Sequence, residues 1–157
     1  MISIIIPTHN GASVLPTTMS AISNIMVPPD NVELVIVSNA CTDTTPHIIE
    51  SYKRQIPFHV NHVVTQTAGR AHALNLGFNN SVGELIVTTD DDVIPDKAWL
   101  TAFYVAAQEF PDFDFFGGQV RHYWQKSPPY WLERLADAGQ SYGGPPIDLP
   151  AGPIDTK

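Results

Sequence analysis

Asp90, Asp91 and Asp92 are three consecutive carboxylates that directly follow an apolar segment. Side chains alternate along extended backbone, so if the strand continues, Asp90 and Asp92 share one face and Asp91 points away. Neighbouring like charges repel each other, and a hard divalent cation removes that repulsion because carboxylate oxygens are its preferred ligands. The pattern predicts a Mg²⁺ or Mn²⁺ site with Asp92 and Asp90 as ligands. The alternative is an acidic turn that caps the helix predicted from Asp96.

Polar residues also follow other apolar segments of the chain. Asn39 carries both a donor and an acceptor, which suits reading the edge of a ligand, whereas Asp43 nearby is interpreted as a helix cap. Arg70 can grip a phosphate through two N–H groups, although most arginines are exposed and bind nothing. The residues that follow the first apolar segment are Pro7, Thr8, His9 and Asn10.

Five short β-rich segments alternate with four helical patterns. The predicted strands are 2–6, 32–37, 59–64, 85–89 and 113–120, and the predicted helices are 13–26, one from 45, 70–80 and 96–109. The helix 70–80 is expected to pack through Ala71, Leu74 and Phe78. This alternation predicts an α/β fold with a mostly parallel sheet and helices on both faces. Ligands of such folds bind beyond the carboxyl ends of the strands, where the polar residues above lie.

Composition narrows the class of protein further. The chain has 157 residues, 43% of them hydrophobic and 15% charged, which excludes disorder as its main state. A net charge of −8 excludes nucleic acid as a partner, and a substrate with phosphates would need a metal to supply positive charge. The single cysteine allows no internal disulfide. Neither a G-x-G-x-x-G motif nor a P-loop occurs, which argues against a dinucleotide-dependent dehydrogenase.

The two ends of the chain differ in character. The N-terminal segment has no basic flank, and no apolar run approaches the ~20 residues of a transmembrane segment, so a cytoplasmic protein is expected, with peripheral attachment to the membrane left open. Six of the 14 prolines lie within 128–153, which places a boundary near Tyr123. We therefore predict an α/β domain over 1–123 and a Pro/Gly-rich extension over 124–157.

Five sequence blocks, in order, resemble the family-2 glycosyltransferases of the Rossmann-like GT-A fold. Segment 3–10 resembles that family's first strand and Pro-Thr-x-Asn turn, and 35–43 resembles its second strand and Asp-Asp-Gly-Ser-x-Asp loop. Segment 69–77 resembles the Gly-rich start of its third helix. The most specific block, 83–100, resembles its Asp-x-Asp metal motif, and 116–120 with 127–132 continues the likeness.

The resemblance implies inverting transfer of a sugar from a nucleoside-diphosphate sugar, with UDP-sugar favoured, to a hydroxyl of a saccharide or lipid-linked saccharide. It places Asn39 where uracil N3–H is accepted and Arg70 at the base or diphosphate. A divalent cofactor, Mn²⁺ or Mg²⁺, would lie mainly on Asp92. The other residues implied to contact the donor are Pro7, Thr8, Asn10, Asp90 (near ribose and metal) and Asp91.

Two departures from the family pattern affect this interpretation. Ser38-Asn39 stands where the family has Asp-Asp, and the family's Glu-Asp pair that supplies the general base is not found. The carboxylates left as candidates, none in a matching motif, are Glu133, Asp137, Asp148 and Asp155, and no base is assigned. The chain is therefore expected to be the donor-binding portion of such an enzyme. The alternatives are a non-catalytic nucleotide-sugar-binding or assembly module and a sugar nucleotidyltransferase, which would need a Gly-rich basic loop after the first strand.

Overall fold

Four parallel strands form one sheet in the order β3-β2-β1-β4. A computed structural model describes residues 1–124 and 126–137. The strands are β1 (Ile2–Thr8), β2 (Val32–Asn39), β3 (His59–Thr65) and β4 (Leu85–Thr88). The helices are α1 (Leu15–Ile22), α2 (Thr45–Tyr52), α3 (Arg70–Asn79), α4 (Trp99–Glu109) and α5 (Tyr130–Asp137). The predicted α/β architecture with a parallel sheet is confirmed.

The central strands β1 and β2 are buried along their whole length. Their nearly continuous apolar sequence suits a strand covered on both faces. On one face Ile4 and Ile36 pack with α1, α2 and α4, and on the other Ile5 and Val35 pack with Ala73 of α3. Helices therefore cover both faces of the sheet.

Helix α3 approaches the sheet through small residues, and of the predicted face Ala71, Leu74 and Phe78 only Leu74 packs against the core cluster of the described residues. Ala73 and Gly77 are buried, while Ala71 is exposed and Phe78 is 45% exposed. A Cβ atom on Gly77 would lie 2.4 Å from Ile5 Cγ2. The helix lies so close to β1 that only small side chains fit directly between them, while Leu74 and Leu76 pack, partly buried, against the same core cluster.

The fifth strand predicted over 113–120 does not form within the described residues. Phe113 instead packs edge-on against Phe110 at a centroid separation of 6.0 Å, and Phe115 is 91% exposed. Asp114 and the pair Gly117-Gly118 interrupt the apolar residues with types that disfavour strands. Helix α1 also ends earlier than predicted, and Met26 is exposed rather than buried.

The chain divides into two compact units, Met1–Asp114 and Phe115–Lys157. In the second unit, α5 is the regular element of the described residues, and His122 stacks on Trp124 at 5.5 Å. Across 1–124 and 126–137, no helix combines the length and the apolar character needed to cross a bilayer.

A buried polar cluster fixes the start of β4. Ser3 Oγ donates to Glu33 Oε1 at 2.5 Å, and the backbone N–H of Val82 donates to the same carboxylate oxygen at 2.8 Å. The N–H of Gly83 donates to Ser3 Oγ at 2.8 Å. Glu33 is 5% exposed, so these hydrogen bonds offset the cost of burying its carboxylate. We call Ser3, Glu33, Val82 and Gly83 the Glu33 cluster.

The close approach within the Glu33 cluster predicts that Gly83→Ala destabilises the protein. A Cβ atom there would lie 2.5 Å from Ser3 N and 2.8 Å from the carbonyl carbon of Ile2, and backbone atoms cannot yield as a side chain can. We expect urea unfolding to show a loss of about 1–3 kcal/mol, as overpacking typically costs. Gly117→Ala is the control, because a Cβ atom there meets nothing within 4 Å. Equal stability of the two variants would contradict this account.

Candidate active site

A cleft of about 420 Å³ opens at the carboxyl ends of the strands. Residues from β1, β2, the start of α3 and the loop after β4 form its walls. The cleft lies where strand order reverses, since the chain continues from β1 to β2 on one side and reaches β4 on the other. Its lining residues are Pro7, Thr8, His9, Asn39, Ala68, Gly69, Arg70, Asp90, Asp91 and Asp92. All the predicted site residues except Asn10 are therefore brought together here.

The residues Asp90, Asp91 and Asp92 after β4 form a segment that we call the acidic loop, and Asp91 anchors it to β1 and α1. Thr8 Oγ1 donates to Asp91 Oδ2 at 2.5 Å, and Thr18 Oγ1 of α1 donates to the Asp91 carbonyl at 2.7 Å. Gly11 makes room for this contact, since a Cβ atom there would lie 2.4 Å from Thr8 Oγ1. Sequence reasoning missed both Thr18 and Gly11. No local pattern of the sequence points to either residue, because their partner Asp91 is distant along the chain.

Strand alternation does not extend into the acidic loop. Strand β4 ends at Thr88, and the chain turns at Asp91 and Asp92. The inference that Asp91 points away from a face shared by Asp90 and Asp92 therefore has no geometric basis, because it required extended backbone throughout.

The other two carboxylates of the loop differ in their partners. Arg70 Nη2 lies 2.5 Å from Asp90 Oδ1, and the two side chains are 69% and 50% exposed. Asp92 is exposed and has no hydrogen bond or ion pair with any residue of the described ranges. Within those ranges no group of three His, Cys, Asp or Glu side chains is placed to hold a metal ion. Any metal bound here would need ligands from a substrate as well.

Asn39 presents an unpaired acceptor in the wall of the cleft. Its side chain is 6% exposed, and its Oδ1 finds no hydrogen-bond partner in the described part of the chain. Leaving a buried acceptor unpaired costs about 1–3 kcal/mol, so such an atom is a candidate to meet a ligand donor. His9 Nδ1 lies 2.6 Å from the Asn39 carbonyl oxygen, which can only accept, so Nδ1 carries the proton. This bond joins the ends of β1 and β2.

Asn10 does not line the cleft but shapes the loop beside it. Its backbone has φ +52°, and its Oδ1 accepts from the backbone N–H of Thr42 at 2.8 Å. Asp43 holds the same loop by accepting from the N–H groups of Ala12 and Thr45, at 3.1 and 3.0 Å. The hydrogen bonds from Thr45 and Ala12 keep the pKa of Asp43 below its ordinary value. The assignment of Asp43 to a structural role at the start of α2 agrees with this geometry.

Ser38, where the family pattern has aspartate, is buried beside a histidine. Ser38 Oγ lies 2.7 Å from His62 Nε2, and His62 Nδ1 lies 3.0 Å from Glu50 Oε1. The Glu50 carboxylate can only accept, so Nδ1 donates to it, and a neutral ring accepts from the serine hydroxyl at Nε2. Lys53 and then His62 lower the pKa of Glu50. This chain of bonds supports the end of β2 from the face opposite α3.

Of the predicted general-base candidates, only the side chain of Glu133 is described by the structure, and Glu133 is not among the lining residues of the cleft. Glu133 is exposed on α5 in the second unit. Asp148 and Asp155 lie outside the described residues, as does the side chain of Asp137. No base is assigned.

Solved structures with the same fold define the class of protein. The structure of Staphylococcus aureus TarS 1–349 in complex with UDP-GlcNAc superposes with a TM-score of 0.65 at 22% identity, over 70% of this chain and 32% of that one. The mannosyltransferase PcManGT of Pyrobaculum calidifontis, in complex with GDP-Man and Mn²⁺, gives a TM-score of 0.61 at 30% identity, over 67% of this chain and 32% of that one. The fold is the GT-A fold of nucleotide-sugar-dependent glycosyltransferases, as predicted.

The sequence defines the family. The model of glycosyl transferase family 2 matches residues 3–151, and the chain belongs to that family. Among its relatives, Probable glycosyltransferase YdaM of Bacillus subtilis (strain 168) is 32% identical over 100 residues, which are 61% of this chain and 24% of that protein. The poly(ribitol-phosphate) beta-N-acetylglucosaminyltransferase TarS of S. aureus (strain Mu50 / ATCC 700699) is 26% identical over 98 residues, 62% of this chain and 17% of that protein. The matched region thus spans about a quarter or less of these relatives.

The anchor on Asp91 predicts that Thr8→Val destabilises the first unit. The substitution keeps the shape of the side chain but leaves the Asp91 carboxylate without the hydroxyl that donates to it. A hydrogen bond to a charged group contributes about 1.5–3 kcal/mol, and we expect a loss of that size in the free energy of unfolding.

Thr17→Val serves as the matched control for Thr8→Val. Thr17 is exposed on α1, and its hydroxyl makes no hydrogen bond within residues 1–124 and 126–137. Chemical denaturation of both variants checks the result. If Thr8→Val unfolds at the same denaturant concentration as Thr17→Val, the anchor contributes nothing.

Proposed function

We propose that the chain is the donor-binding portion of an inverting, metal-dependent glycosyltransferase. The enzyme would transfer a sugar from a nucleoside-diphosphate sugar to a hydroxyl of a saccharide or lipid-linked saccharide. The observation that carries the proposal is the pairing, in one cleft, of the buried unpaired Asn39 Oδ1 with the acidic loop and Arg70. Residues 1–123 would form the donor domain, and 124–157 would lead towards the acceptor-binding part.

The nucleobase is assigned to the wall formed by Asn39. The free Oδ1 can accept from the N3–H of uracil, which presents a single imide donor on that edge. The hydrogen bond from His9 to the Asn39 backbone would hold this residue in place for the contact. Structures of TarS in complex with UDP and with UDP-GlcNAc support uridine as the base. The GDP-Man complex of PcManGT makes guanosine the competing choice.

The diphosphate is assigned to the side of the cleft formed by Arg70 and the acidic loop. Three carboxylates line that side with one guanidinium, so a diphosphate would enter a negatively charged surface. A divalent cation offsets this repulsion. Mg²⁺ characteristically uses one or two protein carboxylates together with substrate phosphates.

The residues present fit such an ion. Asp92 is exposed and free of partners in the described ranges, and its oxygens are hard ligands of the type that Mg²⁺ and Mn²⁺ prefer. Asp92 would be the principal ligand and Asp90 the second. When bound, the metal would stabilise the negative charge that develops on the departing diphosphate. Arg70 would add a charge-assisted hydrogen bond to the same oxygens.

The transfer step itself would be an in-line displacement. An acceptor hydroxyl would attack the anomeric carbon from the side opposite the nucleotide, which inverts the configuration, and a carboxylate would take its proton. None of the cleft carboxylates is suited to that role. Asp91 accepts from Thr8, Asp90 is paired with Arg70, and Asp92 is assigned to the metal.

A non-catalytic nucleotide-sugar-binding module is the second candidate, since the described cleft holds no carboxylate left over to act as base. An assay of UDP release separates the two functions. Acceptor-dependent turnover at ordinary enzyme rates supports the transferase, whereas binding with at most slow hydrolysis supports the module. General-base catalysis typically contributes about 10²–10⁴-fold, so the difference is measurable.

The metal assignment predicts that Asp92→Asn abolishes the Mn²⁺ dependence of UDP binding. Removing the free carboxylate takes away the principal ligand while keeping the size of the side chain. Calorimetric titration of UDP with and without Mn²⁺ measures the effect. Asp112→Asn is the control, because Asp112 is exposed and lies outside the cleft lining. Equal Mn²⁺-dependent affinity in Asp92→Asn and wild type would refute the assignment.

The base assignment predicts that Asn39→Leu loses the preference for uridine. The substitution removes the only acceptor proposed for N3–H, which costs about 1–3 kcal/mol of binding. Asn39→Asp keeps an acceptor at the same position and is the matched variant. Thermal shifts with UDP, GDP, CDP and dTDP compare the bases. The assignment fails if GDP stabilises wild type most strongly, or if Asn39→Leu keeps the wild-type order of the four nucleotides.

A further inference from the structure

We infer that Arg70 and the divalent metal compete for Asp90, so that the metal binds tightly only when a nucleoside diphosphate draws Arg70 away. Arg70 Nη2 lies 2.5 Å from Asp90 Oδ1. This inference rests on the proposed function, because it concerns the metal and the diphosphate assigned to the same site. It makes Arg70 a regulator of metal binding as well as a phosphate contact.

The competition follows from how the acidic loop is partnered. Asp91 accepts from Thr8 Oγ1, and Asp90 is paired with the guanidinium, so Asp92 is the one carboxylate of the loop without a partner among residues 1–124 and 126–137. A metal that enters the cleft before a nucleotide does can therefore bind one protein carboxylate. To bind a second carboxylate, the metal must displace the Arg70 guanidinium from Asp90, because two cations on one carboxylate repel each other.

A diphosphate changes this balance because it offers Arg70 a new partner. Guanidinium N–H groups bind phosphate oxygens in pairs, which a single contact to Asp90 does not provide. Once Arg70 moves to the phosphate, Asp90 becomes available to the metal, and the phosphate supplies further oxygen ligands. The nucleotide then raises the affinity of the metal, and by linkage the metal raises the affinity of the nucleotide by the same factor.

The placement of Arg70 leaves it free to change partners. It is the first residue of α3 and follows Gly69, whose φ of +139° sets the direction of the chain into the helix. Its side chain is 69% exposed, and its contact with Asp90 is the one that holds it within the described ranges. A move to a phosphate in the cleft breaks no other interaction that its side chain makes with the described residues.

Electron paramagnetic resonance of free Mn²⁺ tests the competition without any measurement of activity. In the absence of nucleotide, Arg70→Gln should bind Mn²⁺ more tightly than wild type, by about two- to fivefold, which corresponds to the strength of an exposed ion pair. Arg54→Gln is the control, because it removes the same charge from an exposed arginine outside the cleft lining and should leave the affinity unchanged. The double variant Arg70→Gln, Asp90→Asn should not show this gain in Mn²⁺ affinity.

Addition of UDP then tests the coupling. In wild type, UDP should raise the Mn²⁺ affinity by a factor within the usual range of about 5–150 for coupled sites, and in Arg70→Gln by a smaller factor. Mn²⁺ affinity of Arg70→Gln without UDP that is equal to or weaker than that of wild type overturns the competition, as does an equal gain in Arg54→Gln. If wild type does not bind UDP at all, the proposed function fails, and the titrations with Mn²⁺ alone still decide whether Arg70 competes for Asp90.

Discussion

The parallel pairing of β1 with β2 and with β4 is the constraint on which the cleft depends. It sets Thr8 beside Ser38 at the ends of β1 and β2, whereas β4 ends at Thr88, opposite Ile5. The acidic loop thus leaves the sheet three residues before β1 does. Thr8 and Asp91 each lie three residues beyond the Ile5–Thr88 pair, and Thr8 Oγ1 donates to Asp91 Oδ2 at 2.5 Å. The space between β1 and the departing loop becomes the cleft.

Strand β4 is short and lies at the edge of the sheet, so its position depends on contacts at both ends. The Glu33 cluster holds the residues before it, through bonds to the backbone N–H groups of Val82 and Gly83. Thr8 and Thr18 hold the loop after it, through the side chain and the carbonyl of Asp91. Each anchor joins a polar residue of a buried element to a loop next to β4. The site is therefore positioned by buried polar groups as much as by the apolar core.

The sequence predicts β1, β2 and the cleft edge well because continuous apolar segments leave little choice but a buried parallel strand. It predicts the buried face of a helix less well where the distance between the helix and the sheet decides which side chains fit between them. For α3, the hydrophobic pattern favours Leu74 and Phe78. Leu74 packs against the core, but Phe78 is exposed, and Ala73 and Gly77 are buried because β1 approaches so closely. The strand expected over 113–120 does not form among the described residues, since apolar residues alone do not make a strand without a neighbouring strand to pair with. A contact between residues distant in the sequence, such as Thr18 and Asp91, produces no local sequence pattern from which it could be predicted.

The three aspartates show most clearly what spacing leaves undetermined. As a sequence they are equivalent carboxylates, and alternation along a strand was the available rule for telling them apart. In the folded chain their surroundings differ: Asp91 meets two threonines, Asp90 meets a guanidinium, and Asp92 meets solvent. A carboxylate that already has a hydrogen-bond donor or a counter-ion gains less from a metal than one that has neither. The three carboxylates therefore differ in their capacity to bind a metal. The capacity of Asp90 depends on whether Arg70 is held by Asp90 or by a ligand bound in the cleft.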